Sequence, residues 1–199
     1  MKRILCIGDS NTWGYNPRSY FGSQYPAEVR WTGLLEQSGW QVINCGMNGM
    51  TIPRTQDSPW MRKLIQSRLP FSAVAVMLGS NDLLEGAAAE TTAGRMEHFL
   101  ACVIESAPNA RLILIAPPVM HRGEWVQSET LIRESARLAG CYRELAGRMG
   151  IAFADAGNWN VELACDGVHF SPKGHTAFAR GLTERLFDLM KNGETGEDG

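Results

Sequence analysis

The sequence predicts an α/β domain built on a five-stranded parallel sheet, and three observations carry that expectation. Five short apolar runs rich in branched residues alternate with stretches of helical period, and parallel strands require such crossover connections. The first run stops at Gly8, where the chain has to turn sharply from strand to helix. Ser10, Gly49 and Asn81 each follow a predicted strand by a few residues, and open parallel sheets bind ligands beyond the carboxyl ends of their strands.

The expected strands are Arg3 to Ile7, Gln41 to Asn44, Ala73 to Leu78, Arg111 to Ala116 and Ile151 to Ala154. Helical spacing marks Val29 to Gln37, Trp60 to Arg68, Thr92 to Ser106, Glu129 to Met149 and Pro172 to Met190. Gly150 is a good stop for the fourth helix, and Ser171-Pro172 a good start for the last. Along that last helix Phe178, Leu182, Leu186 and Leu189 recur at helical spacing and are expected to face the core.

Two links are unusual. Asn11 to Glu28 carries Trp13, Tyr15, Tyr20, Phe21 and Tyr25 among glycines and prolines, which suits either a loop packed on its own rings or one wall of an apolar pocket. Pro117-Pro118 forbids helix after the fourth strand and sends Met120 to Gln127 outward, where Trp125 is expected to form a rim or lid and His121 a surface histidine. Residues 1–190 read as one domain, without internal repeats. Lys191 to Gly199 is polar, glycine-rich and acidic, with too little apolar content to fold, and reads as a disordered tail.

At 199 residues the chain is long enough to bury a sizeable core. Its net charge of −2 and pI of about 6.1 leave no broad basic footprint for nucleic acid. No run approaches the roughly 18 apolar residues of a membrane span, so a soluble protein is expected. Lys2-Arg3 followed by Ile4 to Ile7 is too short for a signal-peptide core. Cys6, Cys45, Cys102, Cys141 and Cys165 are an odd count without a C-x-x-C pair, which favours reduced thiols in a cytoplasm. Cys6 and Cys102 read as core filling, and Cys165, beside Asp166, as the one thiol in a reactive setting.

The chemistry is read from the two ends of the chain. After the Gly8 turn, Ser10 reads either as an N-cap or as a hydroxyl presented at the open end of the sheet, beside free N–H groups that stabilise developing negative charge. Near the other end, Asp166 and His169 stand three residues apart, which in a turn puts both side chains on one side. An acid that fixes an imidazole tautomer and a base that takes the serine proton are what a weak hydroxyl nucleophile lacks. Asn81 fits either a cap or an oxyanion donor. A metal reading of Asp166, His169 and His175 lacks a completing ligand; for His175 a helix-surface or satisfied histidine is expected.

Four blocks of this sequence, Gly8-Asp9-Ser10-Asn11, the glycine turn ending at Gly49, Gly79-Ser80-Asn81-Asp82 and Asp166-Gly167-Val168-His169, resemble in order the motif blocks of the SGNH (GDSL-type) hydrolases. Gly8 to Tyr15 and Arg30-Trp31-Thr32-Gly33 look like the bacterial arylesterase branch. That resemblance implies a three-layer, flavodoxin-like sheet ordered 2-1-3-4-5 and ester hydrolysis without metal or cofactor. Position by position it implies Ser10 as nucleophile, His169 as base and Asp166 as orienting acid, with an oxyanion hole from the N–H groups of Ser10 and Gly49 and the amide of Asn81. Asn11 replaces the leucine of the family's name motif and Met50 stands where relatives carry a basic residue, so both are expected to shape the pocket, with Trp13, Asn48, Trp125 and Val168. The expected substrate is a small short-acyl or aryl ester. A carbohydrate O-deacetylase, a thioesterase or a non-catalytic carbohydrate- or acyl-binding module are the alternatives. Exposed aromatics in the two unusual loops suit a homo-oligomer contact as well as a substrate.

Overall fold

The computed structural model describes residues 2–19, 21–54 and 57–191. Five strands, β1 (Lys2–Gly8), β2 (Trp40–Gly46), β3 (Ala73–Met77), β4 (Arg111–Ala116) and β5 (Ala152–Asp155), form one parallel sheet in the order β2-β1-β3-β4-β5. The alternation of side chains along each strand divides the core in two. Leu5, Ile7, Val74, Val76, Leu112 and Leu114 point to one face and pack with residues of α3 (Ser58–Gln66), α5 (Ala89–Ser106) and α6 (Glu129–Met149). Ile4, Cys6, Ala73, Ala75, Ile113 and Ile115 point to the other, under α2 (Trp31–Gln37) and α7 (Pro172–Lys191). Three layers follow from that division, because every strand is apolar on both sides.

All five strands stand where the sequence places them, to within two residues at either end. The helix over Glu129–Met149 also matches, with Ser128 accepting from the Leu131 N–H at its start and Gly150 at φ 65° at its end. α5 begins three residues before the expected Thr92, because the Ala89 N–H is capped by Glu134 of α6, a partner from a distant stretch. α2 begins at Trp31 rather than Val29, since Val29 and Arg30 donate to Pro26 O in a turn that precedes it. The helix expected after the Gly8 turn is the short α1 (Ser10–Trp13), and a further short helix, α4 (Ser80–Leu84), puts Asn81 inside a helix rather than at its cap. Lys191 continues α7, and the rest of the expected tail, 192–199, lies outside the described residues, as does Tyr20.

On α7, Phe178, Leu182 and Leu186 are fully buried and Leu189 is half-buried. His175 departs from expectation, being neither on the surface nor fully satisfied. It is 0% exposed, its Nδ1 accepts the Trp31 N–H at 3.3 Å, and its Nε2 has no hydrogen-bond partner among the described residues. The rings of Tyr25 and Phe170 lie edge-on to it. Burial, with a smaller contribution from His169, pushes its pKa down to about 3. As pH falls below ~6.5 the unfolded chain takes up this proton first, so stability is lost progressively until the folded value is reached. Between pH 7 and 4.5 this amounts to about 2–3 kcal/mol. Denaturant unfolding at the two pH values is therefore expected to show a loss smaller by about that amount in His175→Asn, whose side-chain oxygen still accepts from Trp31.

Candidate active site

Gly8 ends β1 because nothing larger fits. A Cβ there would stand 2.0 Å from Thr12 Oγ1 and 2.8 Å from Met77 O. The chain turns through Asp9, whose carboxylate accepts the Asn11 N–H at 2.9 Å, and α1 starts with Ser10 at the carboxyl end of β1. Burial raises the Asp9 pKa to about 6, against the lowering effect of that N–H. The loop after β2 is tied to this turn by Met47 N–H donating to Gly8 O at 3.0 Å. It then passes Gly49, at φ 72° in the left-handed region, and reaches α4, where Asn81 Nδ2 donates to Met50 O at 3.0 Å. That bond uses one of the two amide hydrogens and leaves the other.

Asp82 holds the same loop from beneath. It is fully buried, accepts the Ile52 N–H at 2.9 Å and pairs with Arg95 at 2.8 Å. The sequence gives no sign of this role, because both partners come from other elements.

The opposite wall is the segment between β5 and α7. Asp166 Oδ1 accepts the N–H groups of Val168 and His169, each at 2.9 Å, and Oδ2 meets His169 Nδ1 at 2.7 Å. His169 Nε2 is 2.9 Å from Ser10 Oγ. A carboxylate only accepts, so the imidazole proton sits on Nδ1, Nε2 presents a lone pair, and the Ser10 hydroxyl donates to it. Ser10, Asp166 and His169 are 6%, 2% and 3% exposed, which keeps water from competing for these bonds. Burial works to raise the Asp166 pKa, but the hydrogen bonds from the His169 ring and from the His169 and Val168 N–H groups outweigh it and hold the carboxyl below its usual range.

The loop after β4 is sewn onto this wall. His121, Glu124 and Trp125 donate their N–H groups to the carbonyls of Gly167, Cys165 and Asp166. Contact is so close that a Cβ on Gly123 would fall 2.4 Å from the carbonyl carbon of Asp166. The Trp125 ring lies edge-on to His169 at 4.9 Å while 54% of it remains exposed. From the first unusual loop Tyr15 lies 4.6 Å from the His169 ring, and the Trp13 carbonyl accepts from Gln24 and braces the loop. Tyr25 packs on His175 instead, and Phe21 is exposed.

Two expected pocket residues are corrected. Val168 is 6% exposed and packs with Met120 and Val126 under the β4 loop. Asn11 is 3% exposed, and its side chain bonds to main chain on the His169 segment rather than lining a cleft. Asn48 and Met50 do border open space. They line a cavity of about 320 Å³ with Met47, Gly49, Asp57 and Trp60. His175 does not join Asp166 and His169, and no group of three or more potential metal ligands gathers among the described residues.

A parallel α/β sheet with a serine, histidine and aspartate linked in series at its carboxyl rim defines a hydrolase-type α/β protein. Residues 6–177 match the model of the GDSL-like lipase/acylhydrolase family, and the chain belongs to that family. It is a carboxylic ester hydrolase. Among solved structures, the native Mycobacterium smegmatis aryl esterase is similar at 28% identity and a TM-score of 0.84, over 95% of this chain and 100% of that one. Its inhibitor-bound form gives 28% and 0.86 over the same shares. Est24, a carbohydrate acetylesterase from Sinorhizobium meliloti, gives 26% and 0.84, covering 95% of this chain and 100% of that one. Comparison with curated proteins gives no significant match.

Proposed function

We propose that the protein hydrolyses small short-acyl or aryl esters through an acyl-enzyme on Ser10. The observation that carries this reading is the unbroken series from Asp166 through His169 to Ser10, at 2.7 and 2.9 Å, in a buried setting. His169 Nε2 takes the hydroxyl proton as Ser10 attacks the ester carbonyl, and Asp166 stabilises the imidazolium that forms. The N–H groups of Ser10 and Gly49 and the uncommitted amide hydrogen of Asn81 receive the oxyanion; a single such donor is worth about 3 kcal/mol of barrier in serine hydrolases. His169 then returns the proton to the departing alcohol, and water activated by the same nitrogen releases the acid.

Because the alcohol must leave beside His169 Nε2, it occupies the flank formed by Tyr15 and Trp125. Two rings there favour a flat leaving group, in line with the aryl esterase likeness. The acyl group lies on the side of the Gly49 loop, which also lines the cavity with Met50 and Trp60. A sugar alcohol also stacks on aromatic side chains, and the likeness to a carbohydrate acetylesterase supports O-deacetylation as the second reading. No nucleic acid, membrane or cofactor enters this scheme. None of the described helices is long and apolar enough to cross a membrane.

p-Nitrophenyl acetate is the test substrate. The expected result is steady turnover preceded, where deacylation is slower than acylation, by a burst of nitrophenolate no larger than one equivalent. Absence of turnover above the buffer rate with both this ester and acetylated sugars would contradict the reading.

A further inference from the structure

We propose that Asn11 is a positioning residue that sets the separation between Ser10 and His169. The two reacting side chains belong to segments 159 residues apart in sequence. Asn11 follows Ser10 directly, and its side chain reaches the residues on either side of His169. Its Nδ2 donates to Val168 O at 3.1 Å, and its Oδ1 accepts the Phe170 N–H at 2.8 Å. A carbonyl and an N–H demand opposite partners, so the orientation of the amide is fixed by the hydrogen bonds themselves. A side-chain amide thus stands in for a strand, bridging the main chain across His169.

The other end of the strut is equally constrained. Asn11 N–H donates to Asp9 Oδ1 at 2.9 Å, and Asn11 O accepts from the Trp31 indole at 2.9 Å. All four polar groups of this residue are therefore engaged, and the side chain has only two torsions in which to absorb movement. The main chain of His169 is held as well, its N–H by Asp166 and its carbonyl by the Ala164 N–H at 2.7 Å. Asp166 fixes how the imidazole is turned, and Asn11 fixes how far it stands from the nucleophile. The inference rests on the reading of Ser10 and His169 as nucleophile and base.

Leucine matches asparagine in branching but cannot make either bond. Asn11→Leu is expected to lower kcat on p-nitrophenyl acetate by about 10- to 100-fold, the scale of a misplacement of around an ångström, with KM within about two-fold. A role limited to folding would lower thermal stability and active fraction alike, so the deciding readout is a double-mutant cycle per active molecule in a His169→Ala background. If Asn11 acts through His169, the residual rate of His169→Ala changes by less than about two-fold when Asn11→Leu is added. An equal loss in both backgrounds, or no loss of kcat in Asn11→Leu itself, overturns the proposal. Should the leucine variant not fold, Asn11→Asp serves in the same cycle, since it keeps the acceptor for Phe170 N–H and sets an oxygen against Val168 O. If His169→Ala in turn is the first variant to show that p-nitrophenyl acetate turnover does not depend on His169 at all, the esterase mechanism fails, not the strut alone.

Discussion

Ser10→Ala is expected to lower kcat on p-nitrophenyl acetate by about 10⁴-fold or more, with the folded state intact. Removing one oxygen from a side chain that is 6% exposed leaves a small void, and the bond lost is the single one to His169 Nε2. The imidazole keeps its partner in Asp166, so the site is not left with a buried group stripped of all its bonds. Circular dichroism and melting are expected to be close to the parent protein, while the rate falls to what the oxyanion donors and a histidine-activated water supply. A loss of less than ten-fold would place the nucleophile elsewhere.

Asp166→Asn is the second large effect, about 10³- to 10⁴-fold in kcat, and it separates tautomer control from charge. Asp166 Oδ1 accepts two main-chain N–H groups. An asparagine therefore keeps its oxygen on that side and presents its NH₂ to the His169 ring. Two donors cannot face each other, so Nδ1 becomes the acceptor and the proton moves to Nε2, aimed at Ser10 Oγ. The hydroxyl then loses its base although every heavy atom stays in place. Because Asp166 is held below the usual carboxylate range by these same bonds, it stays ionised as pH falls, and its contribution to stability is lost only as pH passes below its ordinary value toward the lowered one. The acid limb of the rate profile is accordingly not expected to report Asp166. Recovery of activity in Asp166→Asn at neutral pH would remove the tautomer argument.

The parts legible in the sequence are those decided locally. Apolar runs with branched side chains fixed the strands, and their alternation with helical period fixed the parallel topology, because a parallel pair has no other way to connect. The places of Ser10, Gly49 and Asn81 just after their strands already pointed to one rim, and the spacing of Asp166 and His169 put those two side chains on one side. What escaped was set by contacts between distant segments. The start of α5 depends on Glu134, the burial of His175 on Tyr25 and Phe170, and the β4 loop on carbonyls of the Asp166 segment. Asn11 shows the limit most clearly. A polar residue beside the proposed nucleophile reads as pocket lining, and only the arrival of Val168 and Phe170 from the far end of the chain turns it inward. Tyr15 was one of five aromatic residues in its loop, and nothing in their spacing distinguishes the ring that meets His169.

The esterase assignment predicts where a covalent probe must end up. Incubation with a p-nitrophenyl alkylphosphonate, followed by proteolysis and mass spectrometry, is expected to add one phosphonyl group per chain, on the peptide containing Ser10, and none in Ser10→Ala. Modification at another side chain, Cys165 included, or inhibition without any adduct at Ser10, would contradict the account.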